Sequence, residues 1–100
     1  MGYLIMGNVS KWVRFANEVS FKGMTPNNKS VLEYIAINSD SNGVELTFRS
    51  IADYVGITKI SAKNNTRKLE AIGVLKTKHQ YGGVNKDRLP LIFKINLDWK

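Results

Sequence analysis

One hundred residues, 43% of them hydrophobic, suffice for one small domain with one core and exclude a second. The lack of cysteine rules out a disulfide framework and a thiolate metal site, and the lone His79 cannot build a metal centre, so no metal or cofactor is expected. A formal charge of +7 points to a polyanionic partner; no run approaches a membrane span, and the apolar Tyr3-Leu4-Ile5-Met6 is too short for a signal segment and has no basic flank, which predicts a cytoplasmic protein with no membrane contact.

The chain opens with that apolar arm, followed by Gly7. From Ser10, a candidate cap, Trp12, Phe15, Ala16 and Val19 recur at helical spacing with Lys11, Arg14, Asn17 and Glu18 opposite, which predicts an amphipathic helix. Two roles are open for its apolar face. It covers the core, or together with the arm it forms a homodimer interface through Leu4, Ile5, Trp12 and Phe15, since arm and Phe21 supply more apolar surface than one face needs. Residues 1–24 thus read as an arm-and-helix unit, and residues 25–100 as the main domain.

Thr25-Pro26 is a cap followed by proline at the first helical position, where a missing amide costs nothing. The helix that follows should bury Val31, Leu32, Ile35 and Ala36, with Tyr34 at its edge. Turn chemistry in Ser39-Asp40-Ser41-Asn42-Gly43 ends it. Val44 to Leu46 then reads as a short strand.

From Thr47 to Leu75 the sequence TFRSIADYVGITKISAKNNTRKLEAIGVL predicts two helices joined by a tight turn. The first is capped by Thr47 and buries Ile51, Ala52 and Val55; Gly56 stops it by taking a positive φ without Cβ strain. Thr58 caps the second, which runs to Ile72, turns Ala62, Thr66 and Leu69 inward and leaves Ser61, Lys63, Asn64, Arg67 and Lys68 outside. Gly73 ends it. A strand over Val74 to Gln80 follows, with Leu75 inward and Lys76, Lys78 and Gln80 on the other face. Gly82-Gly83 forms a tip that extends through Arg88, and the return strand sets Leu91, Phe93, Ile95 and Leu97 on one side, with Pro90 near its start.

The pair Ile51-Ala52 and the triplets Gly56-Ile57-Thr58 and Gly73-Val74-Leu75 make this stretch resemble the winged helix-turn-helix family, over roughly the last two thirds of the chain. The resemblance implies an α+β fold: three helices plus the N-terminal arm and helix, packed on a small antiparallel sheet with a two-stranded wing, Val44 to Leu46 adding a third strand beside it. It also implies DNA contact through the second helix of the pair and the wing. Asn64-Asn65-Thr66 depart from the family, whose members often carry an arginine and a large aliphatic there.

Charge is unevenly placed. Residues 1–46 hold four basic and four acidic side chains, whereas residues 47–100 hold eleven basic and four acidic ones. The excess coincides with the helix and hairpin that would touch DNA, which favours nucleic acid over a merely solubilising coat. Candidate DNA-binding residues on the helix are Thr58, Lys59, Ser61, Lys63, Asn64, Asn65, Arg67 and Lys68, with base readout falling to Ser61, Asn64, Asn65 and Arg67. On the wing they are Lys76, Lys78, His79, Gln80, Tyr81, Lys86 and Arg88, suited to a narrow minor groove.

No nucleophile elbow or Walker loop occurs, which predicts a non-enzyme. The expectation is a sequence-specific protein of duplex DNA, a homodimer associated with nucleoid or plasmid. It would act as an accessory factor at a plasmid or phage origin, beside a larger replication or transfer enzyme, or as a small transcriptional regulator. Lysine outnumbers arginine eleven to four, as in AT-rich genomes, among which are mobile elements of low-GC bacteria. Alternatives are a protein-docking winged helix and a single-strand binder stacking bases on Tyr81.

Overall fold

Among the described residues, four helices and three strands follow one another as α1 (Lys11–Glu18), α2 (Pro26–Ile37), β1 (Val44–Leu46), α3 (Phe48–Val55), α4 (Lys59–Ile72), β2 (Leu75–Lys78) and β3 (Leu91–Ile95), an α+β arrangement. The computed structural model describes residues 10–78 and 91–99. Of the expected elements, the arm with Leu4 and Ile5, and the hairpin tip with His79, Gln80, Tyr81, Lys86 and Arg88, lie outside the described residues.

Local chemistry sets the helix starts. Ser10, Thr25, Thr47 and Thr58 each stand in extended backbone and accept a bond from an amide three residues on, satisfying a donor the first turn leaves unpaired. In α2 the cap is reciprocal: the Asn28 amide donates to Thr25 Oγ1, and the Thr25 amide donates to Asn28 Oδ1. Thr47 and Ser50 repeat this in α3. At the other end of α3, Gly56 (φ +82°) lets the chain reverse into α4 through Ile57, whose amide returns to Ala52 O at 3.1 Å.

The sheet is antiparallel with spatial order β1-β3-β2. The last of the described strands is therefore the central one. Its register is Val44↔Phe93 against β1 and Leu75↔Ile95 against β2, so Leu75, Leu91, Phe93 and Ile95 face the helices while Lys76, Lys78 and Lys94 stand exposed on the other face. Gly43, which ends the turn into β1, has φ +88°, and a Cβ there would lie 2.7 Å from Phe93 O; the close approach of two backbones needs glycine.

One core joins all these elements. Ala16 and Val19 of the first segment pack with Val31, Leu32, Ile35, Ala36, Ile51, Ala52, Ala62, Leu69 and the sheet's inner residues. Trp12, Phe15, Val55, Ile72 and Leu97 are half-buried against it. Two boundaries differ from the sequence reading. Val74 precedes β2 instead of opening it. The alternation Leu91-Phe93-Ile95-Leu97 outlasts β3, because Asn96 turns the chain: its Nδ2 donates to Gly73 O at 3.0 Å and its Oδ1 accepts from the Asp98 amide. Trp99 then packs on Gly73, and its Nε1 donates to Ile72 O at 3.0 Å. Among the described residues no helix is long and apolar enough to cross a membrane.

Candidate nucleic-acid interface

The two faces of α4 follow from its period. Ala62, Thr66 and Leu69 are buried. Ile60, Asn64, Arg67 and Ala71, spaced i, i+4, i+7 and i+11, form an exposed stripe opposite them, with Lys59 and Glu70 beside it. Ile60 is 72% exposed. This aliphatic side chain stands in water in the first turn of α4, and it was missed in the sequence, where only polar and charged positions were weighed. Its spacing four residues before Asn64 was the available signal.

The eight helix candidates differ in how far they serve the fold. Lys59, Asn64 and Arg67 are exposed. Thr58 is exposed as well, but its Oγ1 accepts from the Ser61 amide at 3.0 Å as the cap of α4. Ser61 is half-buried and accepts, through its carbonyl and hydroxyl, two contacts from Asn65 Nδ2 at 2.7 and 3.3 Å. Asn65 Oδ1 in turn accepts from Nδ2 of the buried Asn28. Asn65 thus faces α2, not the outside. Lys63 is half-buried. Lys68 is also half-buried: its Nζ donates to Gly23 O at 2.6 Å and lies 5.9 Å from the centre of the Phe21 ring, so it ties α4 to the turn between α1 and α2.

This bonding joins α4 to the start of α2. A shallow cleft of about 320 Å³ runs between them, lined by Thr25, Asn27, Asn28, Asn64, Asn65 and Lys68. Asn27 is exposed on its rim, a further amide that sequence reasoning passed over because Thr25-Pro26 explained that stretch as a helix start.

On the hairpin, Lys76 and Lys78 are exposed as expected, and Lys94 of β3 shares their face. The remaining hairpin candidates, His79, Gln80, Tyr81, Lys86 and Arg88, lie outside the described residues. Of the interface candidates, Trp12 and Phe15 are half-buried against the core. No family model, curated protein or solved structure matches the chain.

Proposed function

We propose that this protein is a winged helix-turn-helix protein that binds duplex DNA in a sequence-specific way. In this reading α3, the Gly56 turn and α4 form the helix-turn-helix, and β2 and β3 carry the wing. The observation that supports it best is the exposed stripe of α4, in which Ile60, Asn64 and Arg67 combine the three chemistries of major-groove readout. An amide pairs with an adenine edge, a guanidinium with a guanine edge, and an aliphatic group with a thymine methyl. The basic excess of residues 47–100 supplies phosphate contacts that fix register. A homodimer using the N-terminal arm and α1 would then place two such helices on half-sites about one helical turn apart. The role is that of an accessory factor at a plasmid or phage origin or of a small regulator, without catalysis of its own.

Selection of bound sites from random duplex DNA tests the reading. A recurring motif should emerge, and the double substitution Asn64→Ala with Arg67→Ala should abolish the preference at specific positions while the protein stays folded by circular dichroism. Enrichment with no motif, or a motif indifferent to these substitutions, would refute helix-led readout.

A second reading, protein docking, draws on a different surface. Tyr54 and Ile37 are 62% and 57% exposed and border, with Val13 and Val55, a cleft of about 380 Å³ between α1, α2 and α3. Apolar exposure of this kind accompanies partner surfaces.

A further inference from the structure

Three elements far apart in sequence deliver lysines to one cleft. Lys11 comes from the start of α1, Lys76 from β2 and Lys94 from β3, and with Trp12 and Asp98 they line a space of about 440 Å³. It lies toward the Leu75↔Ile95 end of the β2–β3 ladder, away from the Lys78↔Ile92 end. Among the described residues that line the cleft, three ammonium groups outnumber the one carboxylate.

Lys76 and Lys94 are direct cross-strand partners. Like charges directly opposite one another destabilise a sheet. Lysine on an edge strand is commonly explained as protection against unwanted strand pairing, and that accounts for Lys76. It does not account for Lys94, which sits on the central strand, where both edges are already paired. No carboxylate forms an ion pair with either ammonium among the described residues. The cleft therefore concentrates positive charge at a cost to the fold, on an open surface whose size suits a small polar group.

We propose that this cleft binds phosphate groups of a nucleic-acid backbone, as a site separate from the exposed stripe of α4. The nature of the ligand rests on the nucleic-acid reading above; the site does not depend on how α4 reads sequence. Ammonium groups bind phosphate as point charges, without the fixed geometry an arginine would impose, so the site is indifferent to sequence. Lys11 Nζ lies 5.1 Å from the centre of the Trp12 ring. When Lys11 turns to a phosphate the charge over that ring moves, and Trp12 becomes a reporter of occupancy.

The test titrates the full chain with a short oligothymidylate, a short duplex, inorganic phosphate and pyrophosphate while following tryptophan fluorescence. The oligonucleotides should give a saturable change that is absent in Trp12→Phe, which separates it from Trp99. Lys76→Gln with Lys94→Gln should weaken oligonucleotide binding on the order of tenfold and make the dependence of log affinity on log salt shallower by about 0.7–0.9 per lysine. Because a like-charge pair is removed, the thermal midpoint of that variant should equal or exceed the parent's, so lost binding will not reflect unfolding. Absence of a Trp12 response, or one that survives the double substitution with unchanged salt dependence, overturns the site. An equal response to inorganic phosphate or pyrophosphate at the same concentrations overturns the polynucleotide assignment. The Trp12 response to oligothymidylate, which offers α4 no major groove, is read separately from site selection on duplex DNA, so failure of the α4 reading and failure of this one are told apart. Comparison of the single-stranded and duplex arms identifies which backbone the cleft prefers.

Discussion

Asn64 and Asn65 are chemically identical neighbours with opposite occupations. A rotation of about 100° per residue leaves Asn64 in solvent and turns Asn65 onto Asn28, which already caps α2. Asn65→Ala should therefore lower stability by about 1–3 kcal/mol, because it strands a buried amide, whereas Asn64→Ala should stay within about 0.5 kcal/mol of the parent. Urea denaturation distinguishes them, and equal costs would contradict the division. A double-mutant cycle of Asn28→Ala and Asn65→Ala should be clearly non-additive. The reverse holds for Ile60. Ile60→Ala should leave the unfolding midpoint nearly unchanged and reduce discrimination among duplex sequences, measured by competition gel shift; loss of stability without loss of discrimination would make Ile60 a packing residue. The outward position of Asn64 was legible from spacing. The inward use of Asn65 was not, because its partner is 37 residues away and sequence periodicity reports a face without saying what lies against it.

The helices are specified more locally than the contacts between them. All four caps were readable as hydroxyl residues ahead of apolar periodicity, since the bond that makes a cap spans three residues. Thr47→Ala should cost about 0.5–2 kcal/mol, and Thr47→Ser should recover most of it. At the glycines the same logic predicts a difference in degree. Gly56→Ala meets no atom within 4 Å and carries only the positive-φ penalty of about 1 kcal/mol, whereas Gly43→Ala adds a clash with the backbone of β3. Thermal unfolding should rank Gly43→Ala well below Gly56→Ala. What remained illegible at this scale were the ties between elements. The stack of Tyr34 on Tyr54, with ring centres 4.3 Å apart, the bond from Lys68 to Gly23 and the seal of Trp99 on Ile72 depend on where helices land, not on local propensity. The extent of β3 was misread for the same reason: alternation continued through Leu97 while Asn96 found a partner in Gly73.

For the molecule as a whole, charge makes the broadest prediction. Affinity for duplex DNA should fall linearly on a log–log plot against salt, by about 0.9 per neutralised phosphate; a flat response would remove the electrostatic basis of the proposal. Lys59→Ala should shallow that slope without changing sequence preference. Lys68→Ala carries a structural component too, because its ammonium is bonded to Gly23, so its effect on binding is meaningful only beside its effect on unfolding.

The position of β3, at the centre of the sheet but later in the chain than both its neighbours, also governs how the molecule is made. β1 and β2 each pair with β3 and have no ladder with one another. During synthesis β1 is complete long before its partner exists, and at about 5–20 residues per second it waits a few seconds as an unpaired strand. The helices can form in that interval from their own caps and periodicity, but neither ladder can. A nascent chain stalled before Leu91 should consequently expose the inner faces of both β1 and β2 and be cut readily by protease, while one extended past Trp99 should become resistant in a single step. Sheet formation thus waits for Ile95, and the most vulnerable period falls between the synthesis of Leu46 and that of Ile95.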